Sequence, residues 1–118
     1  MPLDLVGHEW IVDAFGCKPE GLRDHALLQS LMATIVAEAR LKVLSDGFWH
    51  KFPGEGGMTA LIPLTESHLT IHTFPESGLA TLNLYCCRAA VSWPWESRLM
   101  EILGASHVTV RHLTRGAP

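Results

Sequence analysis

The chain has 118 residues, a formal net charge of -3 and 47% apolar residues. That is one domain's worth of sequence, with apolar content enough for a core and too few charges for disorder to be its main state. Nine basic residues stand against twelve acidic ones without clustering, so neither nucleic acid nor an anionic membrane is an expected partner. The longest apolar runs fall short of the ~20 residues that cross a bilayer. The start, MPLDLVGHEWIVDAF, has no basic segment ahead of an apolar one, so no secretory signal is read there and the expected location is the cytoplasm. Three cysteines, two of them adjacent at 86 and 87, make a poor disulfide framework and fit reduced thiols in that compartment.

Residues Glu9 to Phe15 alternate and predict a first strand, followed by a turn over Cys17 to Gly21. From Asp24, placed as an N-cap, to Arg40 the period becomes 3.6, with Leu28, Leu31, Met32, Ile35 and Ala39 on one stripe. A second strand is expected over Lys42 to Phe52, a glycine-rich loop over Pro53 to Gly57, and a third strand over Met58 to Pro63. Two alternating runs, His68 to Phe74 and Leu79 to Cys87, flank Pro75-Glu76-Ser77-Gly78 and predict a hairpin. A second helix opens at Ser92-Trp93-Pro94, presents Leu99, Met100, Ile102 and Leu103, and stops at Gly104; His107 to Leu113 forms a last strand. The order βαββββαβ with short connections predicts an α+β fold, a two-layer sandwich of one mostly antiparallel sheet with two helices on one face. No linker, repeat or low-complexity segment divides residues 1–118, which read as a single domain.

A four-residue loop over 75 to 78 sets Phe74 opposite Leu79, so paired residue numbers in the hairpin sum to a constant. One face then carries His68, Thr70, His72 and Phe74 beside Thr81, Asn83, Tyr85 and Cys87, while the other carries Leu69, Ile71, Thr73, Ala80, Leu82, Leu84 and Cys86. The second face is apolar and should meet the helices. The first is rich in titratable and hydroxyl groups, and the same register sets Cys87 across from Glu66 and beside Ser67. A serine, a thiol and two imidazoles thus fall within a few residues of one another. Cys86 and Cys87 point to opposite faces, so Cys86 reads as a core thiol, whereas packing and chemistry are equally open for Cys87.

Seven histidines form no metal-binding motif, and His68 and His72, about 13 Å apart on a strand, cannot share one ion, so no metal site is expected. His8, His25, His50, His107 and His112 have no evident partners and read as surface or capping residues. The four tryptophans, at 10, 49, 93 and 95, read as core or interface residues.

The run LTESHLTIHTFPE at 64 to 76, followed by LYCC at 84 to 87, resembles the signature of the small bacterial and archaeal S-adenosylmethionine decarboxylase proenzymes. The segment ending Phe15-Gly-Cys17, the helix after Asp24, Trp49-His50-Lys51-Phe52, the glycine loop, Pro94-Trp95 and Arg115-Gly116 fall in the same order, so the resemblance spans nearly the whole chain. It implies self-cleavage between Glu66 and Ser67. The serine attacks the preceding carbonyl, the ester formed breaks by β-elimination, and hydrolysis leaves a covalent pyruvoyl cofactor derived from Ser67. Such a ketone forms a Schiff base with a substrate amine and accepts the electrons released with CO2, which proteinogenic side chains cannot do. The implied activity is decarboxylation of S-adenosylmethionine to supply aminopropyl groups for spermidine and other polyamines. Carried over position by position, His72 and Thr59 support processing, with Thr59 where a serine is usual. Cys87 is the thiol that reprotonates the substrate carbon. Phe52 and Phe74 match the rings that hold adenine and sulfonium, and Glu76 is either a ligand-binding carboxylate or a turn residue. The open hairpin face, with Phe74, Tyr85 and the implied site, carries too much aromatic surface to leave in water and predicts a homodimer stacking two sheets as αββα, like the family's, with the sites near the interface and Phe52 reaching the partner's site.

The chain departs from the pattern at Phe74 (usually Trp), Asn83 (usually Asp), Arg88 (usually Gly) and Ala60 (usually Gly). These changes surround the substrate rather than the chemistry. A fixed charge at Arg88 would repel a sulfonium and favour a carboxylate, and together with Asn83 it motivates the alternative of a pyruvoyl-dependent decarboxylase of another amino acid such as arginine or ornithine. A further alternative is a homologue that folds without cleaving and serves as a binding or partner subunit.

Overall fold

A computed structural model describes residues 7–87 and 92–116. Six strands, β1 (Gly7–Phe15), β2 (Phe48–Lys51), β3 (Met58–Leu64), β4 (Ser67–Phe74), β5 (Leu79–Cys86) and β6 (His107–Arg115), form one sheet in the order β2-β3-β4-β5-β1-β6. Every neighbouring pair is antiparallel. Helices α2 (His25–Glu38) and α3 (Trp95–Leu103) share one core cluster with the sheet, and a single turn of helix, α1 (Pro19–Leu22), precedes α2. The fold is the expected α+β arrangement, with the face that bears His68, His72 and Asn83 left open. Among the described residues no helix is long and apolar enough to cross a membrane.

Alternation decides which face is covered. Val12 and Ala14, Ala60 and Ile62, Leu69 and Ile71, Leu82 and Leu84 are all buried, and they share their cluster with Leu28, Leu31, Met32 and Ile35 of α2 and Leu99 and Leu103 of α3. Burying each of these larger side chains contributes roughly 1.5–3 kcal/mol. The α2 stripe is the one read from the sequence, and the Asp24 carboxylate caps it by accepting from the Leu27 N–H at 3.1 Å. The hairpin register also agrees: His68 pairs with Tyr85, His72 with Thr81 and Phe74 with Leu79. Gly78 ends the turn with φ 62°, a conformation that costs a glycine nothing. Buried Thr73 is satisfied on both sides, accepting from the Met58 N–H at 2.8 Å and donating to the Leu22 carbonyl at 2.6 Å. That bond fastens α1 to the sheet.

Several expectations are corrected. The turn expected over Cys17 to Gly21 overlaps α1, which starts with Pro19 at a first helical position and runs to Leu22. The long strand over Lys42 to Phe52 shrinks to Phe48–Lys51. Upstream of it, Val43 makes one isolated bridge to Leu64, and the Leu44 N–H reaches the Pro63 carbonyl at 2.9 Å. Pro63 has no N–H to return, and Gly47 at φ 89° turns the chain, so a regular ladder begins only at Phe48. Helix α2 stops two residues before Arg40, which sits at φ 58°. Strand β5 stops at Cys86. Helix α3 starts at Trp95 and turns Met100 outward, burying Trp95 with Leu99 and Leu103 instead. Trp10, Trp93 and Trp95 are buried as read. His8, by contrast, is buried and paired: its Nδ1 lies 3.0 Å from Nε2 of His112, which stacks on Trp10. The expected Arg88 charge lies outside the described residues.

Candidate active site at the start of strand β4

The β3–β4 hairpin is tight, with Leu64 pairing directly with Ser67 and leaving Thr65 and Glu66 at the tip. The Thr65 N–H donates to the Lys42 carbonyl at 2.9 Å, which clasps the tip against the chain leaving α2. Strand β5 ends alongside. Cys86 is buried, whereas Cys87, one residue past the strand, is half-buried and its thiol donates to the Glu66 carbonyl at 3.4 Å. A cavity of about 310 Å³ opens here, lined by Leu41, Lys42, Leu64, Glu66, Ser67 and Cys87. The peptide carbonyl between a glutamate and a serine is thus held by a sulfur donor at the wall of a cavity. A donor on a carbonyl oxygen polarises that carbonyl toward attack and stabilises charge that develops on the oxygen.

The other chemistry-bearing residues gather farther along β4. Thr59 and His72 face each other across β3 and β4, with the hydroxyl 3.0 Å from Nδ1. Phe74 is exposed at the end of β4, and Glu76 is exposed in the one-turn 3-10 helix Pro75–Ser77. Exposed Phe52 follows β2, its ring edge-on to His50 at 4.6 Å. The loop after Phe52 is pinned by Lys51, whose ammonium donates to the carbonyls of Phe52 at 3.0 Å and Gly56 at 2.7 Å. Gly57 must be a glycine, since a Cβ there would lie 2.0 Å from the Thr73 carbonyl oxygen.

The expectation of a serine, a thiol and two imidazoles side by side is therefore met only in part within one chain. Glu66, Ser67 and Cys87 are together, with His68 next in line. His72 lies five residues further along an extended strand, about 16 Å at the usual rise, and takes Thr59, Phe52, Phe74 and Glu76 to its own end. Among the described residues no group of three or more His, Cys, Asp or Glu is arranged to hold a metal ion.

A polar chain on the open face was not foreseen. Arg115 donates to Glu9 at 2.7 Å, Asn83 donates to the other Glu9 oxygen at 2.8 Å, and the Asn83 carbonyl lies 3.1 Å from Nε2 of His68. Parity had set Asn83 beside the histidines, but the pairing of β1 with both β5 and β6 was not readable from local spacing. The Asn83 amide, then the Arg115 guanidinium, holds the Glu9 carboxyl below its ordinary range, and the nearby His68 adds to the effect.

The family model of S-adenosylmethionine decarboxylase matches residues 8–116. Curated relatives named S-adenosylmethionine decarboxylase proenzyme include one from Caldicellulosiruptor saccharolyticus, 34% identical over 97% of this chain and 91% of its own length. Another, from Acetivibrio thermocellus, is 31% identical over the same shares, and one from Pyrobaculum aerophilum is 39% identical over 70% of this chain and 66% of its own. The crystal structure of the adenosylmethionine decarboxylase from Aquifex aeolicus superposes with a TM-score of 0.82 at 23% identity, over 97% of this chain and 93% of that one, so the two share a fold. With nearly its full length matched, the chain belongs to the S-adenosylmethionine decarboxylase family.

Proposed function

We propose that this protein is a self-processing, pyruvoyl-dependent decarboxylase of S-adenosylmethionine that supplies aminopropyl groups for spermidine and other polyamines in the cytoplasm. The observation that carries the reading is the Cys87 thiol on the Glu66 carbonyl, 3.4 Å away, at a cavity shared with Ser67. Attack by the Ser67 hydroxyl on that carbonyl carbon breaks the Glu66–Ser67 C–N bond and forms an ester. The Cys87 donor sits on the oxygen that carries the negative charge meanwhile. β-Elimination then breaks the serine Cβ–O bond and frees Glu66 as a carboxylate. Water adds to the dehydroalanine left at 67 and ammonia departs, leaving a ketone.

The residues present fit a group made in this way, because Ser67 is half-buried at a cavity wall and its only covalent tie after cleavage is to His68, inside a paired strand. The ketone supplies an electrophile for the substrate amine and a sink for the electron pair that CO2 leaves behind. Cys87 then has a second duty, returning a proton to the substrate carbon. Phe52 and Phe74 offer ring faces to a sulfonium, worth roughly 0.5–2 kcal/mol each, and Glu76 offers a carboxylate to the ligand's polar groups.

His72 and Thr59 enter through a second copy. At about 16 Å along β4 neither can exchange a proton with Ser67 of its own chain. The open face bears Phe15, Phe48, Leu61, Phe74 and Leu113, all exposed, with a groove of about 660 Å³ beside Phe48, Leu61, Pro63 and His68. Such a surface calls for cover. Two sheets stacked about 10 Å apart on a twofold axis that crosses β4 would lay one copy's Ser67 end over its partner's His72 end, and Phe52 over the partner's site.

Mass spectrometry of the purified protein, with CO2 release assayed on S-adenosylmethionine, tests the reading. Fragments 1–66 and 67–118, the second beginning with a pyruvoyl group, and turnover are expected. An intact chain after prolonged incubation would favour the non-cleaving binding subunit; a cleaved chain that ignores S-adenosylmethionine but turns over arginine or ornithine would move the substrate.

A further inference from the structure

The chain of contacts from Arg115 through Glu9 and Asn83 to His68 crosses four strands, β6, β1, β5 and β4, and its direction is dictated by what each group can do. A guanidinium only donates, and the carboxylate of Glu9 only accepts. The side of Asn83 that faces Glu9 must therefore be its NH2, so its oxygen faces His68. An amide oxygen only accepts, and Nε2 of His68 must carry the hydrogen. The Tyr85 ring closes the circuit, lying under the Arg115 guanidinium at 5.8 Å and beside the His68 ring at 5.8 Å. Glu9 is 16% exposed and Arg115 56%, so the carboxylate is the sheltered member. The Asn83 and Arg115 hydrogen bonds that lower its pKa extend its role as an acceptor further into acid.

We propose that Arg115, Glu9 and Asn83 form a positioning chain for His68, fixing it as the Nε2–H tautomer and holding the first intact residue behind the cleaved bond. The inference rests on the cleavage reading above. Once the 66–67 bond is cut, the group made from Ser67 is a chain end, and chain ends fray unless tied. His68 pairs with Tyr85 through the backbone, but its own ring is exposed, and the bond to Asn83 is the side-chain tether that spans to the sheet interior. An untethered His68 would let the reactive end wander relative to Cys87, just past the end of the neighbouring strand. Neither Glu9 nor Arg115 touches the reacting atoms, so both are positioning residues.

The test has two arms on the full-length protein. Ring-nitrogen NMR of His68, assigned by loss of its signals in His68→Gln, should show Nε2–H and an unprotonated Nδ1 in the neutral ring. It should shift toward a tautomer mixture in Glu9→Gln and Asn83→Ala. An Nδ1–H ring in the wild type overturns the proposal whether or not the chain cleaves. In kinetics, Asn83→Ala and Glu9→Gln should still cut at 66–67 while kcat falls about ten- to a hundredfold, the scale of a reacting group displaced by about 1 Å, with KM little changed. Arg115→Lys should restore most of what Arg115→Met loses. Folded variants with wild-type kcat overturn the proposal; an uncut wild type would instead count against the cleavage reading, leaving the ring-nitrogen result to judge the tether.

Discussion

The two ends of β4 are built from the same strand on the same sheet yet hold different chemistry. At the Ser67 end a tight hairpin, a thiol and a cavity surround one peptide carbonyl. At the His72 end a hydroxyl–imidazole pair and two exposed phenyl rings stand with no scissile bond near them. Each end holds what the other lacks. A strand cannot bend its own ends together, so a face divided in this way suits two copies laid head to tail better than one copy acting alone.

Several changes would break or sharpen that contrast. The largest effect is expected from Ser67→Ala, which removes the nucleophile: a single uncut mass and no measurable CO2 release should result. Cys87→Ser should still cleave, since a hydroxyl can also donate to the Glu66 carbonyl, but decarboxylation should drop by about 10²- to 10⁴-fold, as on losing a general acid. Mixing Ser67→Ala with His72→Ala then asks whether the ends cooperate between copies. Each protein alone should be inactive, whereas unfolding and refolding them together should recover about a quarter of wild-type activity, because half the twofold pairs are mixed and each has one complete site. No recovery would confine both ends to one chain's site.

Smaller effects concern the sheet itself. Cys86→Ser places a hydroxyl in the core and should cost about 1–3 kcal/mol in chemical denaturation, with turnover per folded molecule unchanged. The reverse pattern for residues 86 and 87 would mean that the roles of the two faces are exchanged. Smallest is the Glu9 contribution. Its folded carboxyl lies below the ordinary value, so the stability it adds is present above that value and is lost as pH falls through the folded one. Acid titration of wild type against Glu9→Gln should show curves that differ at neutral pH and converge in acid.

What could be read from the sequence was local. Period-two alternation and a four-residue loop were enough for the faces of β4 and β5, because a single residue of slip would have turned every apolar side chain to water. Thr59 opposite His72 followed only once β3 and β4 were joined by a two-residue tip. The Glu9–Asn83 and His8–His112 contacts join residues 74 and 104 positions apart, and nothing nearby announces them. The Lys42 segment misled because its apolar residues look like a strand, while Pro63 across from it withholds the N–H that a ladder needs. Approximate distances along a strand were legible, but which residues a second copy brings was not.

The strand order carries a consequence for the protein's history. Residues 1–66 supply β1, β2 and β3, and residues 67–118 supply β4, β5 and β6, yet β1 lies between β5 and β6 in the sheet. A cut at 66–67 would separate the covalent chain into two pieces that are interleaved, so neither could leave without tearing strands on both of its sides. An uncut chain would form its sheet as a unimolecular event, with every contact within one copy at a fixed effective concentration. The cut form, once unfolded, must find its other half by diffusion before any copy can pair, so its refolding would depend more steeply on concentration than that of the uncut Ser67→Ala chain. Maturation would then act as a one-way ratchet: the sheet is assembled once as a single thread and is thereafter maintained rather than remade.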